Sequence, residues 1–257
     1  MIVRSYLLAS ISVLLSALQF VNAQESSDSL KSNDSTITKT EIPAGLTAEE
    51  VVSNYIAEIG GKEALSNVND RTTVMRGSVQ GQNITLVIYQ KSPDRLRQEI
   101  NVGTMKQTII FDGEKAAMLI GEQKMDITGD ELQQLKLEAN INLLLDYENY
   151  GVRTELTGVK KVNGKDAYEI RLTSPDSLVW FQYYDPESWL KVKEIRTVST
   201  PQGEFQQELF FDDYKEIEGL KFPFTINQNM GIQSLQFKVS SIKVNSGIPD
   251  DKFVISE

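Results

Sequence analysis

The chain of 257 residues contains no cysteine and no histidine. Without cysteine there are no disulfides, no iron–sulfur ligation and no thiol nucleophile. Without histidine the commonest general base at neutral pH is missing, and with it the Ser-His-Asp and Cys-His arrangements and the usual zinc and copper ligands. Carboxylates, lysine, tyrosine and serine are left to carry any chemistry. Basic residues are also few, 26 against 36 acidic, for a formal net charge of −10. That balance argues against a nucleic-acid partner and against adsorption to anionic lipid surfaces. Long apolar runs are confined to the first two dozen residues, so the rest of the chain offers no candidate transmembrane segment.

The opening "MIVRSYLLASISVLLSALQFVNA" has a basic start at Arg4, an apolar run from Tyr6 to Val21, and a small-x-small site at Val21-Asn22-Ala23. These features read as a secretory signal peptide over 1–23, cleaved on export to the periplasm. A Ser-rich stretch rather than a basic flank follows, which argues against a membrane anchor. No cysteine follows the run, which excludes a lipid-anchored lipoprotein. Arg4 is the only charged residue in this segment, so the remainder carries 25 basic against 36 acidic residues. Residues 24–45, rich in Ser, Thr and Asp, read as a flexible linker, with a docking peptide as the alternative. Residues 46–257 read as a single domain and a monomer.

Order is expected from Thr47, which with Glu50 three residues later has the pattern of a capping box. Val51, Val52, Tyr55, Ile56 and Ile59 fall on one helical stripe, and Gly60-Gly61 stops it. The glycine pair lacks a preceding strand and the spacing of a phosphate-binding loop. From Arg71 the period is two. Five short runs, from "TVMRGSV" to "AAMLIG", are divided by turn signals such as Ser92-Pro93-Asp94 and Asp112-Gly113. A helix is expected within "ITGDELQQLKLEANINLLLDYENYG", with Thr128 as N-cap and an apolar stripe of Leu132, Leu135, Ala139, Leu143 and Leu144. Asp126, Asp130 and Glu131 do not fit a calcium loop, and acids suit a first helical turn, so no metal site is assigned. Seven further runs, from "VRTELTGVKKV" to "SLQFKVSSIKV", follow as strands. The layout is one antiparallel sheet, large enough to curl, with helices covering a face.

Several runs, "TLVIY", "TIIF" and "LVWFQYY", are apolar on both faces. An antiparallel sheet with one wet face does not need that. Either a second layer covers the other face, or that face lines an apolar cavity of the kind that binds small molecules. In "LKFPFTI", Leu220, Phe222, Phe224 and Ile226 share a face, and Pro223 marks an edge or bulged position.

Taken in order, several stretches resemble one family. "YQKSPDRLRQEINVG…IIFDGEKAAM" carries a strand, a proline, the step Arg95-Leu96-Arg97, Glu99 and Asp112-Gly113. "LLLDYENYGVRTELTGVKKVNGKDAYEIRLT" carries Tyr147, Gly151, Glu155, Leu156, Gly158, Gly164, Ala167 and Tyr168. The hairpins "YYDPESWLKVKEI" and "YKEIEGLKFPFTI" follow, and "VSSIKVNSGIPDDKFV" closes with Asn245, Ile248, Pro249, Asp250 and Phe253. Over 48–255 this order resembles the outer-membrane lipoprotein-sorting (LolA/LolB-like) superfamily of bacterial envelope proteins. The chain departs from the pattern after Asp112-Gly113, where Ala116-Ala117-Met118 replaces an aromatic. The resemblance implies an α+β, mainly β fold: a curled antiparallel half-barrel of about eleven strands with helices over its concave face. It also implies an apolar cavity for acyl chains of a lipid or lipoprotein.

On this basis the expected role is non-enzymatic binding, carriage or chaperoning of a lipid or acylated lipoprotein, without a cofactor. The expected cavity wall is Leu86, Ile88, Leu96, Ile109, Phe111, Met118, Trp180, Phe222 and Phe224. Arg95 and Arg97 are the candidates to meet a headgroup at the rim, or else are solvated strand residues. The alternative is an envelope protein–protein interaction module whose core is filled by its own side chains. A hydrolase built on paired carboxylates is the third reading, but Asp212-Asp213 and Asp250-Asp251 sit at strand ends and turns, where solvated acids are ordinary.

Overall fold

In the computed structural model the described residues are 41–79, 81–200, 203–231 and 233–256. The expected signal peptide and most of the expected linker lie outside them. Helix α1 spans Ala48–Glu58 and α2 Gly61–Ser66. Six strands follow: β1 Asp70–Val79, β2 Gln82–Lys91, β3 Arg95–Val102, β4 Met105–Phe111, β5 Ala116–Ile120 and β6 Gln123–Ile127. Helix α3 occupies Gly129–Ala139, and seven strands complete the chain: β7 Arg153–Val162, β8 Lys165–Thr173, β9 Val179–Tyr184, β10 Lys191–Thr200, β11 Gly203–Ile217, β12 Leu220–Met230 and β13 Gln233–Val244.

All thirteen strands form one antiparallel sheet, in the order β6-β5-β4-β3-β2-β1-β13-β12-β11-β10-β9-β8-β7. Each neighbouring pair is a sequential hairpin except β1–β13, where the first and last strands join in the middle of the sheet. The sheet curls as an open half-barrel. Thirteen strands are present among the described residues, where about eleven were expected. One addition is β6, a short strand of Gln, Lys, Met and Asp with a single buried residue, whose composition gives little strand signal.

The turns follow the local chemistry. The Asp112 carboxylate accepts from the N–H groups of Glu114 and Lys115, each at 2.8 Å. The Asp185 carboxylate accepts from those of Glu187 and Ser188, at 2.9 and 2.7 Å. Both are side-chain mimics of a backbone turn. Pro223 lies on β12 just outside the stretch that pairs with β13, which begins at Thr225, so its missing N–H breaks no ladder bond on that side. Thr47 and Glu50 form the expected capping box.

The expected helix from Thr128 ends early. Asn140 leaves the helix in extended geometry, and its side chain accepts from the N–H of Asn142 at 3.0 Å. This local bond competes with helix continuation. A 3₁₀ turn at Leu143–Leu145 replaces the expected final turns.

The sheet has a concave inner face, and its two halves are covered differently. Over β3–β6, α3 buries Leu135 and Ala139 against Leu96, Ile109, Phe111, Met118 and Ile127. Over β8–β9, α1 packs Val51, Tyr55 and Ile59 against Tyr168, Ile170, Leu172 and Tyr184, with the Tyr55 and Tyr184 rings 5.2 Å apart. The C-terminal segment crosses back to β1. There the buried Asp70 carboxylate accepts from the N–H groups of Ser246, Gly247 and Ile248 and from the Ser246 hydroxyl, at 2.8 to 3.4 Å. A last 3₁₀ turn, Asp250–Phe253, then packs over β3.

Candidate functional site: a cavity with a polar floor

A cavity of about 620 Å³ lies between the inner face of the second half and the far side of α3. That volume is in the range typical of small-molecule pockets. Its walls come from three places. Helix α3 contributes Asp130, Glu131, Gln134, Leu137 and Glu138, and the segment after it Leu143 and Tyr147. The β8–β9 connection and β9 contribute Leu178, Val179, Trp180 and Gln182. Strands β10 and β11 contribute Glu194, Arg196, Thr197 and Glu204. Helix α3 therefore serves two faces: Leu135 and Ala139 seat it on the first half, while Leu137 and Glu138 look into the cavity of the second.

Leu137, Leu143, Tyr147, Leu178, Val179 and Trp180 give the cavity its apolar surface, Asp130, Glu131, Gln134 and Glu204 line it as well, and a chain of polar side chains runs along its floor. Gln182, only 5 % exposed, accepts at its Oε1 from the hydroxyls of Tyr184 at 2.6 Å and Tyr147 at 3.4 Å, and donates from Nε2 to Glu194 at 3.1 Å. Glu194 also accepts from Lys191 Nζ at 2.8 Å. Arg196 donates to Glu138 on α3, and its other terminal nitrogen is 3.8 Å from Glu194. Gln90 on β2 donates to the Glu138 carbonyl at 2.9 Å and accepts from Arg71. The chain of bonds thus ties the C-terminal end of α3 to both halves of the sheet.

Around Gln182 two cations, Lys191 and Arg196, face two carboxylates, Glu138 and Glu194, and Arg71 adds a third cation at the Gln90 end. Burial alone would raise the Glu194 carboxyl, but Lys191 and then Arg196 outweigh it and hold it down at about 2. Burial alone would lower Lys191, but Glu194 raises it above the ordinary lysine value. Burial also pushes the Tyr147 hydroxyl up to about 12. At neutral pH the floor is therefore a set of fixed charges and neutral phenols, with none of these groups poised near 7 for proton transfer.

Of the nine expected wall residues, Trp180 lines this cavity. Leu96, Ile109, Phe111 and Met118 are packed beneath α3, Leu86 belongs to the core between β1–β3 and β13, and Ile88 bridges those two clusters. Phe222 packs with Val68, Leu220 and Val244, with Phe224 against the same group. In the first half one face of the runs "TLVIY" and "TIIF" is thus packed core. Arg95 and Arg97 do not reach the cavity. They alternate with the inward Leu96, and bond Asp250 at 2.9 Å, Glu99 at 2.7 Å and the Lys252 carbonyl at 3.2 Å. The sequence reading missed Gln182, Glu194 and Arg196. A signal was present: "WFQYY" and "KVKEIRTV" place Gln182, Glu194 and Arg196 at the same alternation phase as buried apolar neighbours.

This architecture is a LolA-like fold. The structure is similar to a LolA superfamily protein from Nitrosomonas europaea, with a TM-score of 0.54, 14% identity, and coverage of 82% of this chain and 99% of that one. It is similar to a DUF1329 family protein from Desulfovibrio piger, with a TM-score of 0.53, 12% identity, and coverage of 80% and 97%. A putative outer membrane lipoprotein-sorting protein domain from Vibrio parahaemolyticus gives a TM-score of 0.51, 12% identity, and coverage of 80% and 97%. No family model matches the sequence, and no curated protein sequence matches it. Among the described residues no helix is long and apolar enough to cross a membrane.

Proposed function

We propose that the protein is a non-enzymatic binder or carrier of an acylated ligand, a lipid or the acyl chains of a lipoprotein, working in the periplasm after cleavage of residues 1–23. Residues 24–45 are then the linker that precedes the single domain of 46–257. The observation that carries this reading is the cavity on the far side of α3, with an apolar surface of Leu137, Leu143, Tyr147, Leu178, Val179 and Trp180. Each methylene of an acyl chain buried there contributes about 0.8 kcal/mol. Entry and exit follow movement of the α3 end that Glu138 holds to Arg196.

A second reading, an envelope interaction module with a self-filled core, is favoured by the first half of the sheet, where Leu86, Leu96, Ile109, Phe111 and Met118 are packed against the chain's own side chains. Native mass spectrometry with organic extraction, on mature protein purified from the periplasm without detergent, separates the two. A stoichiometric lipid or acylated peptide is the result expected for the carrier. A clean apo mass, together with no uptake of fluorescent acyl probes, would overturn it.

A further inference from the structure

The size of the cavity bears on how many acyl chains a ligand brings into it. Its volume of about 620 Å³ is shared between the apolar surface and the polar residues that also line it. A water takes about 30 Å³ of the liquid, and a methylene group has nearly the same bulk, so the whole cavity holds about twenty methylenes at most. One long acyl chain fits under that ceiling. The two chains of a dipalmitoyl lipid bring about thirty carbons and the three of a tripalmitoylated peptide about fifty, and neither set fits.

Room for a second chain has to come from α3. On the sheet side the floor is fixed, with Gln182 held by Tyr147, Tyr184 and Glu194. Towards α1 the Tyr184 ring packs on that of Tyr55. Lifting α3 strips Leu135 and Ala139 from Leu96, Ile109, Phe111 and Met118. A second chain laid in that space only replaces apolar contacts that α3 already makes, so it gains little net burial. The same movement breaks the bond from Gln90 to the Glu138 carbonyl and the one from Arg196 to the Glu138 carboxylate. Buried polar groups are costly to leave unmet. A chain passes when the α3 end moves, and the closed state then encloses one.

We propose that the protein takes a single-chain amphiphile, one long acyl chain on a lysolipid or on a singly acylated peptide, and does not enclose the chains of a diacyl or triacyl ligand. This rests on the binding role given above. The test uses the mature chain and one hexapeptide carrying one, two or three palmitoyl groups, each form below its micelle concentration. Displacement of a fluorescent acyl probe gives affinity, and native mass spectrometry gives stoichiometry. The singly acylated form is expected to bind one per protein, and the second and third chains to tighten binding by less than about tenfold. Enclosing a second chain would add about fourfold for each methylene, far above that limit. Leu178→Trp puts an indole into the cavity, and is expected to weaken the palmitoyl peptide at least about tenfold while sparing its decanoyl counterpart. A lysolipid or a singly acylated peptide in the organic extract of periplasmic protein agrees with the proposal. A stoichiometric diacyl or triacyl species there, a second chain that tightens binding about tenfold or more, or two singly acylated peptides on one protein overturns the one-chain limit and leaves the carrier reading in place. Displacement by none of the three peptides overturns both. The comparison on the unaltered chain decides the matter even where the Leu178→Trp chain fails to fold.

Discussion

Replacing Glu194 with glutamine tests whether the polar floor is held by charge. Glu194 is 13 % exposed at its side chain and bridges Lys191 at 2.8 Å and Gln182 at 3.1 Å. The substitution keeps the shape and an amide oxygen that can accept from Lys191 and Gln182, but removes the negative charge beside Lys191, which is 17 % exposed and has the Phe211 ring at 4.8 Å. Breaking a buried pair from one side costs about 3 to 5 kcal/mol. The acid response gives an independent figure. The folded-state carboxyl lies at about 2 against an ordinary value of 4.5. A depressed carboxyl contributes stability that is complete above its unfolded value and lost as pH falls from about 4.5 towards 2, here about 3 kcal/mol. Both figures describe the same coupled pair and do not add. Urea unfolding at pH 7, 4.5 and 3 measures them. The Glu194→Gln chain should lose about 3 kcal/mol at pH 7 and show a correspondingly flatter decline below pH 4.5. A loss under about 1 kcal/mol with an unchanged acid slope would refute the argument that Lys191 and Arg196 hold this carboxylate.

Three further outcomes are expected. Asp70→Ala removes the acceptor of four bonds from residues 246–248, and should cost about 2 to 4 kcal/mol and speed amide exchange at those residues. Gly60→Ala sets a Cβ 2.6 Å from the Gly219 carbonyl oxygen at a φ of +128°, which should lower stability by about 2 to 3 kcal/mol and loosen α1 from the β11–β12 hairpin, read by thermal unfolding. Phe111→Ala and Leu178→Ala should behave oppositely. The first, fully buried beneath α3, should cost about 3 to 5 kcal/mol of stability and spare acyl-probe affinity. The second should leave stability nearly intact and weaken the probe about tenfold.

How much of the fold is legible in the sequence depends on the scale of the physics. Period-two runs and Asx turns at Asp112 and Asp185 are local, and they gave strand positions throughout most of the chain. The weak strand β6 lacked both signals. The end of α3 was misjudged because the apolar spacing of Leu143 and Leu144 continued a helix that Asn140 had already closed. The site was the least legible part. Alternation says that Leu96 and Phe111 point inward, but not that α3 lies over them rather than over Trp180. The placement of one helix decided which inward residues became packed core and which became wall. Gln182, Glu194 and Arg196 were readable as inward polar residues, and their mutual pairing needed the register of β9 against β10.

The pairing of β1 with β13 also sets an order of events. In a chain that emerges from its N-terminus, β1 can form a hairpin with β2 at once, yet its other edge stays bare until β13 has appeared. Every other strand pair closes a short loop, and this one closes the longest available, so it is the slowest contact to find. The Asp70 carboxylate, at the start of β1, then receives the residues that follow β13. Completion of the sheet is thereby deferred to β13 and the residues that follow it, and loss of that segment opens the sheet at its centre rather than fraying it at an edge.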